Sequence, residues 1–220
     1  MTKEERQAKL KEKLAVMKAF DRELAGGDTG GYAGGIDEAG RGPLAGPVVA
    51  ACCVLPPDFD VLGVDDSKKL SAKRRAEVYT QITEKALAWS VGIADNETID
   101  RINILQATRL AMREAYAKAD ALLFARTGSY IEALLIDAVS LADIPCRQEA
   151  IIKGDARSLS IAAASIIAKV TRDKLMLAYH EQYPHYGFDS NKGYGTRAHY
   201  EGLAKYGLTP IHRKSFLKNL

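Results

Sequence analysis

The sequence predicts an α/β domain in which a mixed sheet is flanked by helices. Three observations predict it. Short apolar runs rich in Val, Ile, Leu, Ala and Cys recur at residues 33–38, 48–55, 89–94, 133–137 and 150–153, and runs of that length read as buried strands. Longer segments at 71–87, 98–118 and 158–179 carry apolar residues at helical spacing. The first three strands follow one another with early hairpin connectivity and the later ones alternate with helices, an order suited to strands of mixed direction.

Residues 3–25 place Leu10, Leu14, Met17, Phe20 or Asp21, and Leu24 at roughly helical spacing among many charges, an amphipathic helix. Gly26-Gly27-Asp28-Thr29-Gly30-Gly31 breaks it and reads as a linker, which would leave that helix as an appendage. Strand 33–38 enters a turn, Gly40–Pro47, with three glycines and two prolines, and strand 48–55 returns as a hairpin. A loop at 56–66 precedes helix 71–87, for which Ser71 is a candidate cap. Strand 89–94 and helix 98–118 come next. Helix 158–179 opens on Ser158 and is rich in Ala and Ile, small enough to lie close on a sheet. The tail reads as shorter helices broken at Tyr183-Pro184 and Gly187. The chain thus divides into a helical extension with a linker at 1–30, an α/β core at 31–178, and a helical segment at 179–220 packed on that core. A doubly wound nucleotide-binding fold is disfavoured, because its first strand leads directly into a helix.

At 220 residues the chain can hold one sizeable core. No apolar run approaches the roughly 20 residues of a membrane span, so no membrane association is expected. The acidic residues of the opening Met-Thr-Lys-Glu-Glu-Arg argue against a targeting peptide. Cys52, Cys53 and Cys146 are odd in number, lack metal-ligand spacing and lie in or near apolar segments, which fits the reducing cytoplasm. Charge is unevenly spread. Residues 1–149 hold 20 basic and 23 acidic side chains, and residues 150–220 hold 11 and 5, with all four histidines and eight of the 16 aromatics. Basic residues interleaved with rings suit nucleic acid, and equally suit solvated helix faces over an aromatic core.

Four acids end apolar runs: Asp37 and Glu38 after Gly-Gly-Ile, Asp137 after Leu-Leu-Ile, and Asp155 after Ile-Ile-Lys-Gly. A carboxylate at the end of a buried strand is costly unless paired or bound to a cation. Four such carboxylates, without Cys or clustered His, suit hard cations such as Mg²⁺ or Mn²⁺, and sites of that kind act on phosphates. Plainer readings stand beside this one. Neighbours on a regular strand point to opposite faces, so Glu38 also reads as a solvent-facing turn residue. Asp155 also reads as a helix cap. Gly40-Arg41-Gly42 either forms a tight hairpin turn or brings backbone N–H groups close to a ligand. In Asp66-Ser67-Lys68-Lys69-Leu70-Ser71, Lys68 is either solvated or a phosphate contact. Tyr194, in Lys192-Gly193-Tyr194-Gly195-Thr196, is poorly supported for packing and reads as a stacking residue or a surface ring. No activated Ser or Cys motif accompanies the histidines.

These segments together resemble bacterial ribonuclease HII, the type 2 RNase H family, over roughly residues 33–216. The resemblance rests on Gly35 through Ala50, on Asp66-Ser67-Lys68-Lys69-Leu70, Leu135-Ile136-Asp137 and Lys153-Gly154-Asp155, and on Ser160 through Asp173. It continues in Lys192 through Thr196 and in His212-Arg213-Lys214-Ser215-Phe216. It implies an RNase H-like catalytic core, metal-assisted cleavage of RNA in RNA–DNA hybrids, and cutting at single ribonucleotides embedded in duplex DNA, leaving 3′-hydroxyl and 5′-phosphate. It implies that Asp37, Glu38, Asp137 and Asp155 bind two Mg²⁺ or Mn²⁺ ions, that Gly40, Arg41 and Gly42 read the 2′-hydroxyl, and that Tyr194 stacks on the neighbouring deoxyribose. Lys68, Lys192 and Arg213 are the expected phosphate contacts. Many relatives carry Gly where this chain has Ala138. A cytoplasmic monomer is expected, and the rival reading is a DNA nuclease or junction resolvase of the same fold.

Overall fold

The computed structural model describes residues 2–27, 31–137, 140–141 and 143–217, so Ala138 and residues 28–30 of the expected linker lie outside the described residues. Five strands form one sheet in the order β3-β2-β1-β4-β5. They are β1 Tyr32–Ala39, β2 Val48–Val54, β3 Ala88–Ala94, β4 Ile131–Asp137 and β5 Arg147–Ile151. The first three pair antiparallel, as the expected hairpin connectivity requires, while β4 pairs parallel to β1 and β5 parallel to β4.

Strand β2, Val-Val-Ala-Ala-Cys-Cys-Val, shows no polar alternation because both its faces are covered, and all seven residues are buried. Val48, Ala50, Cys52 and Val54 meet helix α3 (Asn96–Thr127) on one face. Ala51 and Cys53 share a second cluster with helices α2 (Ala72–Lys85) and α5 (Leu159–Gln182) on the other. Helix α5 lies close on β1: a Cβ at Gly35 would sit 2.0 Å from the Ser160 carbonyl carbon. The capping readings hold, since Ser71 accepts from Arg74 N (3.3 Å) and Ser158 from Ile161 N (3.2 Å).

Three elements differ from expectation. Helix α3 runs to Thr127, nine residues further than its apolar spacing suggested, and breaks at Asn103 (φ 65°). The Asn103 carboxamide oxygen accepts from Leu105 and Gln106 N–H (3.0 and 3.1 Å), so it caps the second half of the helix. Strand β5 lies at 147–151 and not 150–153; it is an edge strand whose Arg, Gln and Glu face outward in part, so no apolar run announces it.

Helix α1 (Lys3–Leu24) is docked and not an appendage. Its Met17 is 2% exposed and joins the α2–α5 cluster, while Phe20 and Leu24 pack against Leu135, Ile151 and Ile161. Two polar contacts fix its register: Lys18 Nζ donates to Phe59 O (3.0 Å), and Asp21 accepts from Ser160 N (2.7 Å) at the start of α5. Helix α4 (Gly154–Arg157) is one turn, and the tail forms α6 (Phe188–Asn191) and α7 (Arg197–Tyr206). Ala45, Met176, Tyr186, Phe188 and Ile211 bind this tail to the Gly40–Pro47 turn. Among the described residues no helix is long and apolar enough to cross a membrane.

Candidate active site

Strands β1 and β4 run parallel with Ile36 opposite Ile136, so the next residues, Asp37 and Asp137, stand side by side at the same end of the sheet. Carboxyl ends of parallel strands are where open α/β sheets form their crevices. Asp37 is 8% exposed, and its Oδ1 accepts from Glu38 N (2.8 Å). Burial pushes its carboxyl well above the usual range, Glu38 and Asp137 push it further, and the Ser165 hydroxyl of α5 opposes them. Lys153 takes a left-handed turn (φ 56°) after β5, and Gly154 N then donates to Asp137 Oδ1 (3.0 Å). Asp155, next along, is raised by burial and then by Asp66 and Asp137. Glu38 is also raised by burial, against Arg41 and Lys68, which favour its charged form.

Asp137 is the common neighbour: its charge acts on Asp37, on Glu38 and on Asp155. Among the described residues no three Asp, Glu, His or Cys side chains close on a single ion-sized position. The donor chemistry nevertheless suits a hard cation: oxygen ligands only, crowded so that charge on one disfavours charge on the next. Asp66 belongs to the same neighbourhood, since its charge acts on Asp155; in the sequence it stands between Asp65 and Ser67-Lys68-Lys69 and reads as one more loop residue. An open cavity of about 1000 Å³ lies elsewhere, between α1 and the starts of β1 and α5, and none of the four acids lines it. Asp37 is buried, and Glu38, Asp137 and Asp155 are half-buried.

The Gly40–Gly42 turn comes directly after β1. Gly40 has φ 99°, and a Cβ there would lie 2.0 Å from Arg172 Nε. Arg172 and Arg213 are buried (1% and 0% exposed) beneath the turn. Arg172 donates to Pro47 O (2.9 Å), Ala45 O (3.2 Å) and Lys192 O (2.9 Å). Arg213 donates to Gly46 O (2.9 Å), Arg41 O (2.9 Å) and Gly40 O (2.6 Å). The turn's carbonyls are thus drawn inward, and among the described residues no acceptor faces the exposed Arg41 and Gly42 N–H groups. The expectation that Arg213 touches phosphate is corrected: its guanidinium has no exposed surface and is committed to carbonyls, so it builds the turn.

The Tyr194 ring is 49% exposed and stands beside Gly42, where a Cβ would be 3.4 Å from the ring. Lys68 is exposed and acts electrostatically on both Glu38 and Asp155. Lys192 donates through Nζ to the Asp189 carbonyl, two residues from Tyr194. The structure thus brings together the four acids, the turn, Lys68 and the tyrosine, and buries Arg213 behind them.

The Ribonuclease HII family model matches residues 34–219. A ribonuclease HII from Enterococcus faecalis is 62% identical over 182 residues, spanning 83% of this chain and 68% of that protein. Another from Clostridioides difficile is 52% identical over 213 residues, spanning 96% of this chain and 80% of the relative. Among solved structures, the ribonuclease H2 from Pyrococcus horikoshii OT3 superposes with a TM-score of 0.64 at 25% identity, covering 84% of this chain and 93% of that one. Bst-RNase HIII in complex with Mn²⁺ shares the fold, with a TM-score of 0.64 at 22% identity over 80% of this chain and 63% of that one.

Proposed function

This chain belongs to the Ribonuclease HII family, a premise from which we propose how its residues divide the work of cutting RNA paired with DNA. It is a metal-dependent RNase H-type hydrolase. Asp37, Glu38, Asp137 and Asp155 would hold two Mg²⁺ or Mn²⁺ ions, as oxygen-only donors suited to hard cations. When bound, the cations make water a stronger nucleophile and offset negative charge on the phosphodiester and the leaving oxygen. The observation that carries the reading is the pairing of Asp37 with Asp137 at the ends of adjacent parallel strands, with Gly154, the residue before Asp155, hydrogen-bonded to Asp137.

The remaining residues choose the substrate. Free N–H groups of Arg41 and Gly42 can bind a 2′-hydroxyl, the group that distinguishes RNA from DNA. The Tyr194 ring beside Gly42 stacks on the next sugar, which favours deoxyribose there and so an RNA-to-DNA junction. Lys68 and Lys192 contact backbone phosphates. The substrates are RNA–DNA hybrids and duplex DNA containing single ribonucleotides, and the products carry 3′-hydroxyl and 5′-phosphate ends. Three free cysteines fit a reducing cytoplasm, where the protein works as a monomer. The test is cleavage of a labelled continuous RNA–DNA hybrid with Mg²⁺, Mn²⁺ or EDTA, by the natural protein and by Asp137→Asn. Cutting with metal, none with EDTA, and loss of cutting but not of hybrid binding in Asp137→Asn is the expected result. Full-rate cutting by the variant would remove Asp137 from the site.

A further inference from the structure

We propose that His199 and His212 are a positioning pair that holds the Tyr194 ring against the Gly40–Gly42 turn, and so sets the preference for an RNA-to-DNA junction. The inference rests on the reading of Tyr194 given above and extends it to two residues that touch no substrate surface.

Both imidazoles are buried, at 0% and 1% exposure, with their Nε2 atoms 2.9 Å apart. Their partners fix the tautomers. Thr209 N donates to His212 Nδ1 (2.9 Å), so in the neutral ring the proton is on His212 Nε2. His199 Nδ1 lies 3.0 Å from the Tyr194 carbonyl oxygen, which can only accept, so His199 carries its proton on Nδ1. His212 Nε2–H therefore donates to His199 Nε2, and one directed chain runs from Thr209 through both rings to the Tyr194 backbone. Burial favours the neutral form of each ring that this chain requires. Phe188 and Tyr186 hold the rings in place, with centroids 5.2 Å from His199 and 5.2 Å from His212 respectively.

The other end of the pair is fastened to the turn. His212 forms a β-bridge with Ala45, Gly46 N donates to Ile211 O (2.9 Å) and Arg213 N donates to Leu44 O (2.9 Å). His212 thus grips the turn with its backbone and, through His199, grips the tyrosine segment with its side chain. Tyr194 sits between two glycines, and its own backbone contacts are local, to Asn191 O (3.0 Å) and Thr196 N (2.8 Å). Gly193 O also accepts from Leu44 N (2.8 Å), which ties the segment to the turn one residue earlier. The histidine bond lands on the next carbonyl, that of the stacking residue itself, so the pair sets how the ring stands over Gly42.

The test compares kcat/KM on duplex DNA with one ribonucleotide to kcat/KM on a continuous RNA–DNA hybrid. His199→Phe keeps ring packing and loses both hydrogen bonds, and His199→Asn keeps an N–H near the Nδ1 position. Tyr194→Ala should lower the junction-to-hybrid ratio. His199→Phe should lower it about ten-fold, as a small misplacement of a positioning group does. His199→Asn should recover much of the loss, and His199→Phe added to Tyr194→Ala should lower the ratio no further. If His199→Phe fails to fold, His212→Asn carries the same test, because it still accepts from Thr209 N but does not reach His199. An unchanged ratio in a folded His199 or His212 variant, where Tyr194→Ala lowers it, overturns the positioning role alone. An unchanged ratio in Tyr194→Ala overturns the reading of Tyr194, and the inference with it.

Discussion

Asp37 is buried, adjacent to Glu38 and level with Asp137, and burial first, then those charges, push its carboxyl up. Asp37→Asn removes a crowded buried charge, so cutting should be lost while the melting temperature holds or rises; a melt with retained cutting would contradict the assignment. Gly40→Ala should do the reverse and damage the fold first. Its φ of 99° disfavours any Cβ, and that Cβ would meet Arg172 at 2.0 Å, so urea unfolding should show a loss of about 1–3 kcal/mol. The carboxylates were legible in the sequence because an acid closing an apolar run is conspicuous. Arg213 was not, because an arginine committed to carbonyls looks in sequence like any basic residue near a ring. Asp66 and the histidine pair share that difficulty: what defines them is who sits opposite, and spacing along the chain does not encode it.

At the scale of elements, the strands covered on both faces, β1, β2 and β4, were readable within a residue or two, and the polar edge strand β5 was displaced by three. The break in α3 depends on one asparagine capping the turn of helix after it, which periodicity averages away. The apolar stripe of α1 was readable, but its docking was not, because the glycine-rich stretch after it reads as a linker and says nothing of where the helix folds back. That docking predicts that Met17→Ala costs about 2–5 kcal/mol in urea unfolding, the range for a fully buried side chain, where an undocked helix would show almost none. The seam between α7 and residues 209–213 predicts a pH effect. His212 is held down to about 4 in the fold, against an unfolded value of about 6.5. Between those values the unfolded chain binds more protons, so stability falls as pH falls, by about 2 kcal/mol between pH 7 and pH 5 for His212. Urea midpoints of the natural protein and His212→Asn should therefore converge in acid.

Over the whole molecule, the sheet brings Asp37 and Asp137 to one end, and the tail folds back to set Tyr194 beside the Gly40–Gly42 turn. The last 71 residues carry 11 basic and 5 acidic side chains; Arg172 and Arg213 are buried, so the proposed attraction for phosphate falls to the remaining basic residues. Hybrid affinity should fall as salt rises, with a negative slope of log affinity on log salt that Lys68→Ala and Lys192→Ala each make shallower; a flat salt dependence would argue against phosphate contacts there. On the proposed reading, the carboxylates with their cations cut only where a 2′-hydroxyl meets the Gly40–Gly42 turn. Cleavage of a labelled DNA duplex containing one ribonucleotide, beside the same duplex in all-DNA form, with Mg²⁺ or Mn²⁺ and with EDTA, tests this. A metal-dependent cut on the 5′ side of the ribonucleotide with an intact control is the expected result; cutting of both duplexes would overturn the reading.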